Sequence, residues 1–301
     1  MSQAELESEE IERANTSGRR PVVFVHGLWL LAGSWDRWRE VFEQAGYSTL
    51  APGWPDDPEN VEEARKRPEV MAKKTIKQII DHYVGVIDRL KEKPAVIGHS
   101  FGGMFAQKLA GLGRSSVTVS IDPAPYRGVL ALPASALKVA WAALKNPANY
   151  NRAVPLTFEQ FRFGFANAVD ENEARDLYDQ YSVAGPGAPL FEASLANLNP
   201  WSAASVDSKN PERGPMLVIS GEKDHTVPHA ISSASYRLQK RNTASPTEFR
   251  EIPGRGHSLT IDSGWREVCN LALEFVQRFL KPVPEGRTAR PGAPLGQAPR
   301  A

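Results

Sequence analysis

The chain has 301 residues, of which 41% are apolar, and its formal net charge is +1. Such a chain can bury one large α/β core with an inserted subdomain, and its near-neutral charge gives no electrostatic argument for a nucleic-acid partner. Its single cysteine, Cys269, excludes an internal disulfide. No apolar run approaches about 18 residues and the N-terminus is acidic, so we expect no membrane span, no secretory signal and a cytoplasmic protein.

A polar arm is predicted to precede the first strand. Residues 1–20 are rich in Glu, and Leu6 and Ile11 are too few to anchor a strand, so we expect a flexible or loosely docked arm. An apolar run at 22–25 then predicts a strand, which breaks at the glycine that follows His26. The sheet is therefore predicted to begin at this run.

Strands alternate with helical patterns along the rest of the chain. Apolar residues recur at helical spacing in 38–45, 76–90 and 265–279. Five further apolar runs, each ending at or just before Gly, Pro or Asp, predict strands at 48–51, 95–98, 117–121, 216–220 and 248–252. This alternation predicts an α/β fold with a mainly parallel sheet of about six strands, covered by helices on both faces.

The most informative motif is Gly98-His99-Ser100-Phe101-Gly102, which follows one predicted strand and opens a helical pattern. A serine held on so tight a turn needs neighbours without a Cβ, which let helix and strand approach each other while Oγ projects outward. Ser100 is therefore the candidate nucleophile. The motif alone is a modest signal, and a turn serine without chemistry is the alternative.

A serine nucleophile needs a histidine base, an acid that orients the base, and amide donors for the oxyanion. His257 is the candidate base, because it lies in a glycine-rich loop after the strand at 248–252. Asp224 is the candidate acid, in the turn after the strand at 216–220. Asp122 directly follows the strand at 117–121 and is a rival acid, but the turn motif around Asp224 favours the latter.

Other histidines have simpler interpretations. His225 and His229 have the i, i+4 spacing of metal ligands on a helix, but Pro228 interrupts that helix and favours surface positions. His99 is expected to point into the flank of the sheet. We predict no metal, nucleotide or flavin. No glycine-rich phosphate loop of the kind that binds nucleotides follows a predicted strand.

The chain order Ser, Asp, His, together with the turn at Ser100, resembles the serine-nucleophile members of the α/β-hydrolase superfamily. The resemblance extends from Pro21 to Leu280. It includes the segment from Gly221 to Pro228, which is similar to the turn that carries the acid in this family. It implies an oxyanion hole formed by the backbone amides of Leu28 and Phe101, with His26 bracing the oxyanion loop.

The resemblance also implies a division of the chain. The core is expected at 21–125 and 206–281, with a helical cap at 126–205. The cap is rich in aromatic residues, some of which, especially within 158–165, could line an apolar pocket, although most are expected to pack. Residues 282–301 are rich in Pro, Gly, Ala and Arg, which predicts a disordered tail.

The activity implied by the resemblance is hydrolysis of a small-molecule carboxylic ester with an apolar acyl or aryl part, through an acyl-enzyme and without a cofactor. Two alternatives use the same residues. One is acyl transfer, lactone hydrolysis or perhydrolysis, and the other is a receptor-like protein that binds a ligand without turnover. Oligomeric state cannot be read from these patterns.

Overall fold

Six parallel strands form the central sheet of the protein in a computed structural model that describes residues 3 to 283. Their spatial order is β2-β1-β3-β4-β7-β8, and every neighbouring pair is parallel. The six strands are β1 (Arg20–Val25), β2 (Tyr47–Leu50), β3 (Ala95–His99), β4 (Val117–Ile121), β7 (Met216–Gly221) and β8 (Thr247–Ile252). The predicted α/β fold with a parallel sheet is confirmed, and each predicted strand lies within two residues of its observed bounds.

Helices cover both faces of this sheet and also fill the long interval between β4 and β7. The chain contains α1 (Gln3–Thr16), α2 (Asp36–Gln44), α3 (Val61–Lys66), α4 (Ile76–Asp88), α5 (Phe101–Gly111), α6 (Ala134–Leu144), α7 (Phe158–Gly164), α8 (Glu171–Tyr181), α9 (Ala188–Ser194), α10 (His229–Gln239) and α11 (Trp265–Phe279). Short strands β5 (Ala153–Val154) and β6 (Gly185–Pro186) pair with each other in an antiparallel arrangement.

Alternation along the buried strands divides the core into two layers. In β1, Val22 and Phe24 belong to the cluster that includes α2 and α11, whereas Val23 and Val25 belong to the cluster that includes α4 and α5. Successive side chains of a strand point to opposite faces, so a continuous apolar run is what a sheet covered on both sides requires.

The N-terminal segment is a docked helix, which corrects the expectation of a flexible arm at 1–20. Ile11 and Ala14 of α1 are buried in the core, one helical turn apart. Polar contacts hold the same helix. Glu7 lies 3.0 Å from His82 Nε2, and Glu10 pairs with Arg39. Two apolar residues suffice here because ion pairs to α2 and α4 supplement them, and the sequence pattern does not reveal those partners.

Helices α6 to α9 and the β5/β6 pair occupy the interval that the sequence assigned to a cap at 126–205. The division into this cap and a core at 21–125 and 206–281 stays a prediction. The predicted tail begins at 282, and its residues 284–301 lie outside the described part of the chain. Between residues 3 and 283, none of the helices has the length and apolar character needed to cross a bilayer.

Candidate active site

Ser100 occupies a strained turn between β3 and α5. Its backbone has φ 60° and ψ −122°, a left-handed conformation that L-residues rarely adopt and that costs about 1–3 kcal/mol. Three hydrogen bonds hold the turn. The Ser100 N–H donates to the Ile121 carbonyl at 2.9 Å, while the Ser100 carbonyl accepts from the amides of Met104 at 3.1 Å and Ala124 at 2.9 Å. The strained serine is thus fixed by the ends of two strands and by the first turn of α5.

The glycines on either side of Ser100 are required by close backbone contacts. A Cβ on Gly98 would lie 2.0 Å from the Gly102 carbonyl oxygen, and a Cβ on Gly102 would lie 2.0 Å from the Val25 carbonyl oxygen. Neither contact is possible for another residue. The two glycines therefore let α5 start directly against β1 and β3, as the sequence motif predicts.

His257 is held by Asp224 at the same edge of the sheet. Both side chains are fully buried, and His257 Nδ1 lies 2.6 Å from Asp224 Oδ2. The other oxygen of Asp224, Oδ1, accepts from the backbone amides of Thr226 at 2.6 Å and Val227 at 2.8 Å. A carboxylate can only accept, so this pair assigns a proton to Nδ1 and leaves Nε2 with a free lone pair.

The second ring nitrogen of His257 makes no hydrogen bond to any residue that the structure describes. Nε2 is buried and has no hydrogen-bond partner among the described residues. Two rings fix the imidazole plane: Phe165 packs edge-on with its centroid 4.6 Å away, and the His99 ring lies 4.5 Å away. The bond from a catalytic histidine to its serine is commonly long before substrate binds. His257 is thus oriented through Nδ1 and by packing, with Nε2 available as a base.

Asp122 and His99 lie beside this pair, and both are buried. Burial, followed by the negative charge of Asp224 and a hydrogen bond to it, raises the pKa of Asp122 well above its usual value. Asp122 Oδ1 accepts from the Gly221 amide at 2.8 Å. Burial, followed by the proximity of His257, lowers the pKa of His99 well below its usual value. The hydrogen bond to His257 Nδ1 therefore comes from Asp224, whereas Asp122 bonds to the Gly221 amide beside it.

One group in the described part of the chain has the geometry to hold a metal ion. Donor atoms of His99, Asp122 and His257 all lie within 4.8 Å of one another. The raised pKa of Asp122 disfavours metal binding, because a carboxyl ligand must be ionised. The spaced pair His225 and His229 does not converge, since His225 Nδ1 contacts the Phe163 carbonyl at 2.9 Å and His229 pairs with Glu251.

The loop after β1 is anchored by a second buried histidine and aspartate. His26 Nε2 lies 3.1 Å from Asp57 Oδ2, and the His26 ring stacks on Trp54 at 5.0 Å. Lys74 Nζ bonds to the other oxygen of Asp57. Although burial raises it, the pKa of Asp57 is lowered overall by the hydrogen bonds and charges of His26 and Lys74. His26 is therefore a bracing residue of the loop.

The braced loop contacts Ser100 directly. A Cβ on Gly27 would lie 2.8 Å from Ser100 Cβ and 3.5 Å from Ser100 Oγ. This contact brings the backbone that leads into Leu28 beside the hydroxyl. Phe101 is the first residue of α5, and the first amides of a helix have no partner within it. The backbone amides of Leu28 and Phe101 thus stand on two segments that meet at Ser100.

An apolar cavity of about 110 Å³ opens at Ser100. Its wall comes from the loop after β1, from α6 and α9, and from the start of α10. The residues that line the cavity include Trp29, Leu132, Leu137, Ala140, Leu144 and Leu190. No charged side chain is among its described lining residues.

The aromatic residues of 158–165, which the sequence offered as pocket residues, pack elsewhere: Phe161 stacks on Phe165, and Phe165 contacts His257.

The chain belongs to the α/β-hydrolase family, whose model, described as "Alpha/beta hydrolase family", matches residues 22–271. The family resemblance inferred from the motifs is thereby confirmed. No curated protein matches the sequence.

Solved structures with this fold include three that cover most of the chain. A monoacylglycerol lipase from Paleococcus ferrophilus is 20% identical, with a TM-score of 0.59 over 86% of this chain and 94% of that one. An extracellular α/β-hydrolase from a Paenibacillus species is 23% identical, with a TM-score of 0.58 over 85% and 98%. A methylesterase from Arabidopsis is 15% identical, with a TM-score of 0.58 over 86% and 99%. At these identities the similarity establishes the fold.

Proposed function

We propose that the protein is a serine hydrolase that cleaves carboxylic esters with an apolar acyl or aryl part. The observation that carries the proposal is the orientation of His257, whose Nδ1 is bonded to Asp224 at 2.6 Å while the buried Nε2 has no partner among the described residues. A free Nε2 at the edge that also carries a strained serine is the arrangement a general base needs.

In the proposed mechanism, Ser100 Oγ attacks the ester carbonyl carbon while His257 Nε2 accepts the hydroxyl proton. Asp224 keeps the imidazole in the required tautomer and stabilises the imidazolium. The amides of Leu28 and Phe101 donate to the oxyanion, and each such donor is typically worth about 3 kcal/mol in the transition state. Collapse of the intermediate expels the alcohol, which takes the proton from His257. Water, activated by the same histidine, then releases the acid and regenerates Ser100.

The cavity wall supports an apolar acyl or aryl group. Leu144, Leu190 and Trp29 line it, and no charged residue among its described members could pair with a charged substrate. Each methylene that leaves water for such a wall contributes about 0.8 kcal/mol, or roughly a fourfold gain in kcat/KM. We therefore expect the preference to rise with acyl length until the cavity is full.

The test measures hydrolysis of p-nitrophenyl esters from acetate to decanoate by the wild-type protein and Ser100→Ala. We expect kcat/KM to rise from acetate to a medium chain, and Ser100→Ala to lose at least about 10⁴-fold in kcat. Turnover that survives in Ser100→Ala, or no turnover of any ester by the wild type, would overturn the proposal.

A matched pair of variants tests the cavity. Ala140 lines it, whereas Ala134 is exposed on the same helix and does not. Ala140→Leu should shift the optimum to shorter esters because it removes volume from the pocket. Ala134→Leu should leave the chain-length profile unchanged, which separates loss of pocket volume from a general effect on α6.

A further inference from the structure

Large exposed apolar side chains are concentrated around the mouth of the cavity. Seven of the nine such residues in the described part of the chain come from the segments 130–141 and 195–201. We call this surface the apolar rim. Its members are Leu130, Leu132, Leu137, Trp141, Leu195, Leu198 and Trp201. Most monomeric proteins do not leave so many large apolar side chains together in water, and a contiguous patch marks an interaction surface.

Hydrogen bonds hold the two segments of the rim side by side. The Gly128 amide donates to Asn197 Oδ1 at 2.7 Å, and Asn197 Nδ2 donates to the Val129 carbonyl at 2.9 Å. The Arg127 amide also donates to the Ala204 carbonyl at 3.0 Å. Leu130 and Leu198 therefore extend from neighbouring, fixed pieces of backbone. Their exposed fractions, 74% and 82%, are those of side chains that the fold presents to the outside.

The rim is continuous with the cavity. Leu132 and Leu137 belong to the rim and also line the cavity, and the wall member Ser194 immediately precedes the rim residue Leu195. The rim and the cavity thus share part of their apolar surface.

Basic residues outnumber acidic ones around the rim, where Glu159 lines the same groove as Trp141, Lys138 and Lys145. The stretch 123–158 contains four basic residues and no acidic one, and 193–206 contains no charged residue. The basic residues are Arg127, Lys138, Lys145 and Arg152, and all four are exposed. Lys138 and Lys145 lie one turn before and after Trp141 on α6. In a chain with a net charge of +1, this cluster is a local excess of positive charge.

We propose that the apolar rim docks on the surface of a bilayer that contains anionic phospholipid. Leu and Trp side chains enter the boundary between headgroups and acyl chains, and surrounding Lys and Arg side chains are attracted to the anionic headgroups. The combination distinguishes this partner from a second copy of the chain, whose rim would carry the same positive charge. Docking does not depend on Ser100. The consequence that apolar esters enter the cavity from the membrane rests on the proposed function.

Sedimentation of the full chain with extruded vesicles tests the proposal. The vesicles are pure phosphatidylcholine or phosphatidylcholine with about a third phosphatidylserine, at 0.1 M and 0.5 M NaCl. We expect binding to the anionic vesicles that weakens at least tenfold at the higher salt, because a Debye length near 10 Å shrinks on salt addition. The variant Leu130→Ser/Leu198→Ser/Trp201→Ser should lose at least tenfold in partition coefficient while keeping its p-nitrophenyl acetate turnover.

Two controls make each result decisive. Leu112 and Phe279 are exposed apolar residues outside the rim, so Leu112→Ser/Phe279→Ser should bind vesicles as the wild type does. Ser100→Ala should also bind normally. A wild-type protein that binds vesicles but hydrolyses no ester would contradict the proposed function alone. Equal binding to neutral and anionic vesicles, or no binding at all, overturns the proposal. Concentration-dependent dimers that disappear in the rim variant would assign the surface to a second copy instead.

Discussion

The protein contains two buried histidine–aspartate pairs that differ in what surrounds them. In the pair His26–Asp57, the aspartate also bonds Lys74, and the ring stacks on Trp54. In the pair His257–Asp224, the aspartate has no ion-pair partner besides the histidine among the described residues. A cation beside Asp57 opposes a further positive charge on His26, whereas Asp224 is free to stabilise an imidazolium. The neighbours of the aspartate, more than the pair itself, therefore separate a bracing pair from a candidate catalytic one.

The largest contrast is expected between Asp224→Asn and Asp57→Asn. Asp224→Asn should lower kcat by about 10⁴-fold with the fold intact, because an amide favours the wrong tautomer of His257. Asp57→Asn leaves the buried Lys74 charge uncompensated, and should lower the free energy of unfolding by about 3 kcal/mol while the folded fraction stays active. Urea unfolding and ester kinetics on both variants measure the contrast. Equal losses of activity would mean that the two pairs do not differ in role.

A smaller effect is expected from Gly27→Ala, which probes the contact between the two regions. The new Cβ would lie 2.8 Å from Ser100 Cβ, so the oxyanion loop must move away from the serine. We expect kcat to fall by about 10²-fold, as for loss of one oxyanion donor, with a smaller change in KM. Gly85→Ala is the control, because nothing lies within 4 Å of its Cβ in α4, and it should be neutral or slightly stabilising. Unchanged kcat in Gly27→Ala would remove the loop from the proposed mechanism.

The smallest effect on activity is expected from Asp122→Asn, whose stability should nonetheless depend on pH. The folded protein keeps a proton on Asp122 that the unfolded chain releases above about pH 4, so this group makes the wild type less stable as pH rises. Asn cannot titrate and can still accept from Gly221 and donate to Asp224. The variant's advantage in free energy of unfolding should therefore grow by up to about 1.4 kcal/mol per pH unit above pH 4.

Denaturant unfolding between pH 4 and 7 measures this difference. The exposed Asp179→Asn is the control and should follow the wild type in parallel. A parallel curve for Asp122→Asn, or a loss of activity as large as that of Asp224→Asn, would mean that Asp122 is ionised and is the working acid.

Local patterns predicted the strands and the residues at their carboxyl ends. Buried parallel strands are continuous apolar runs, and Ser100, Asp224 and His257 each follow one, so chain order alone places them at one edge of the sheet. The partners of Asp57 and the position of His99 against His257 were not predictable. They depend on contacts between segments far apart in the chain, such as Lys74 with Asp57. Helix α1 was missed for the same reason, since its ion pairs lie on α2 and α4.

The residues that line the pocket were not predictable, because aromatic content is a poor guide to what a side chain faces. Phe161 and Phe165 are buried against each other, and Phe165 also contacts His257, whereas Leu and Ala of α6 and α9 line the cavity. The alanine side chains on these two helices leave a cavity that larger side chains would fill. This arrangement becomes visible only when the two helices are placed over Ser100.

The most direct test of the central claim is the rate and site of reaction with a fluorophosphonate, mapped by peptide mass spectrometry in the wild type, Asp224→Asn and Asp57→Asn. The account predicts modification of Ser100 alone, slowed by several orders of magnitude in Asp224→Asn and little changed in folded Asp57→Asn. Modification of another residue, no modification of the wild type, or equal slowing in both variants would contradict it.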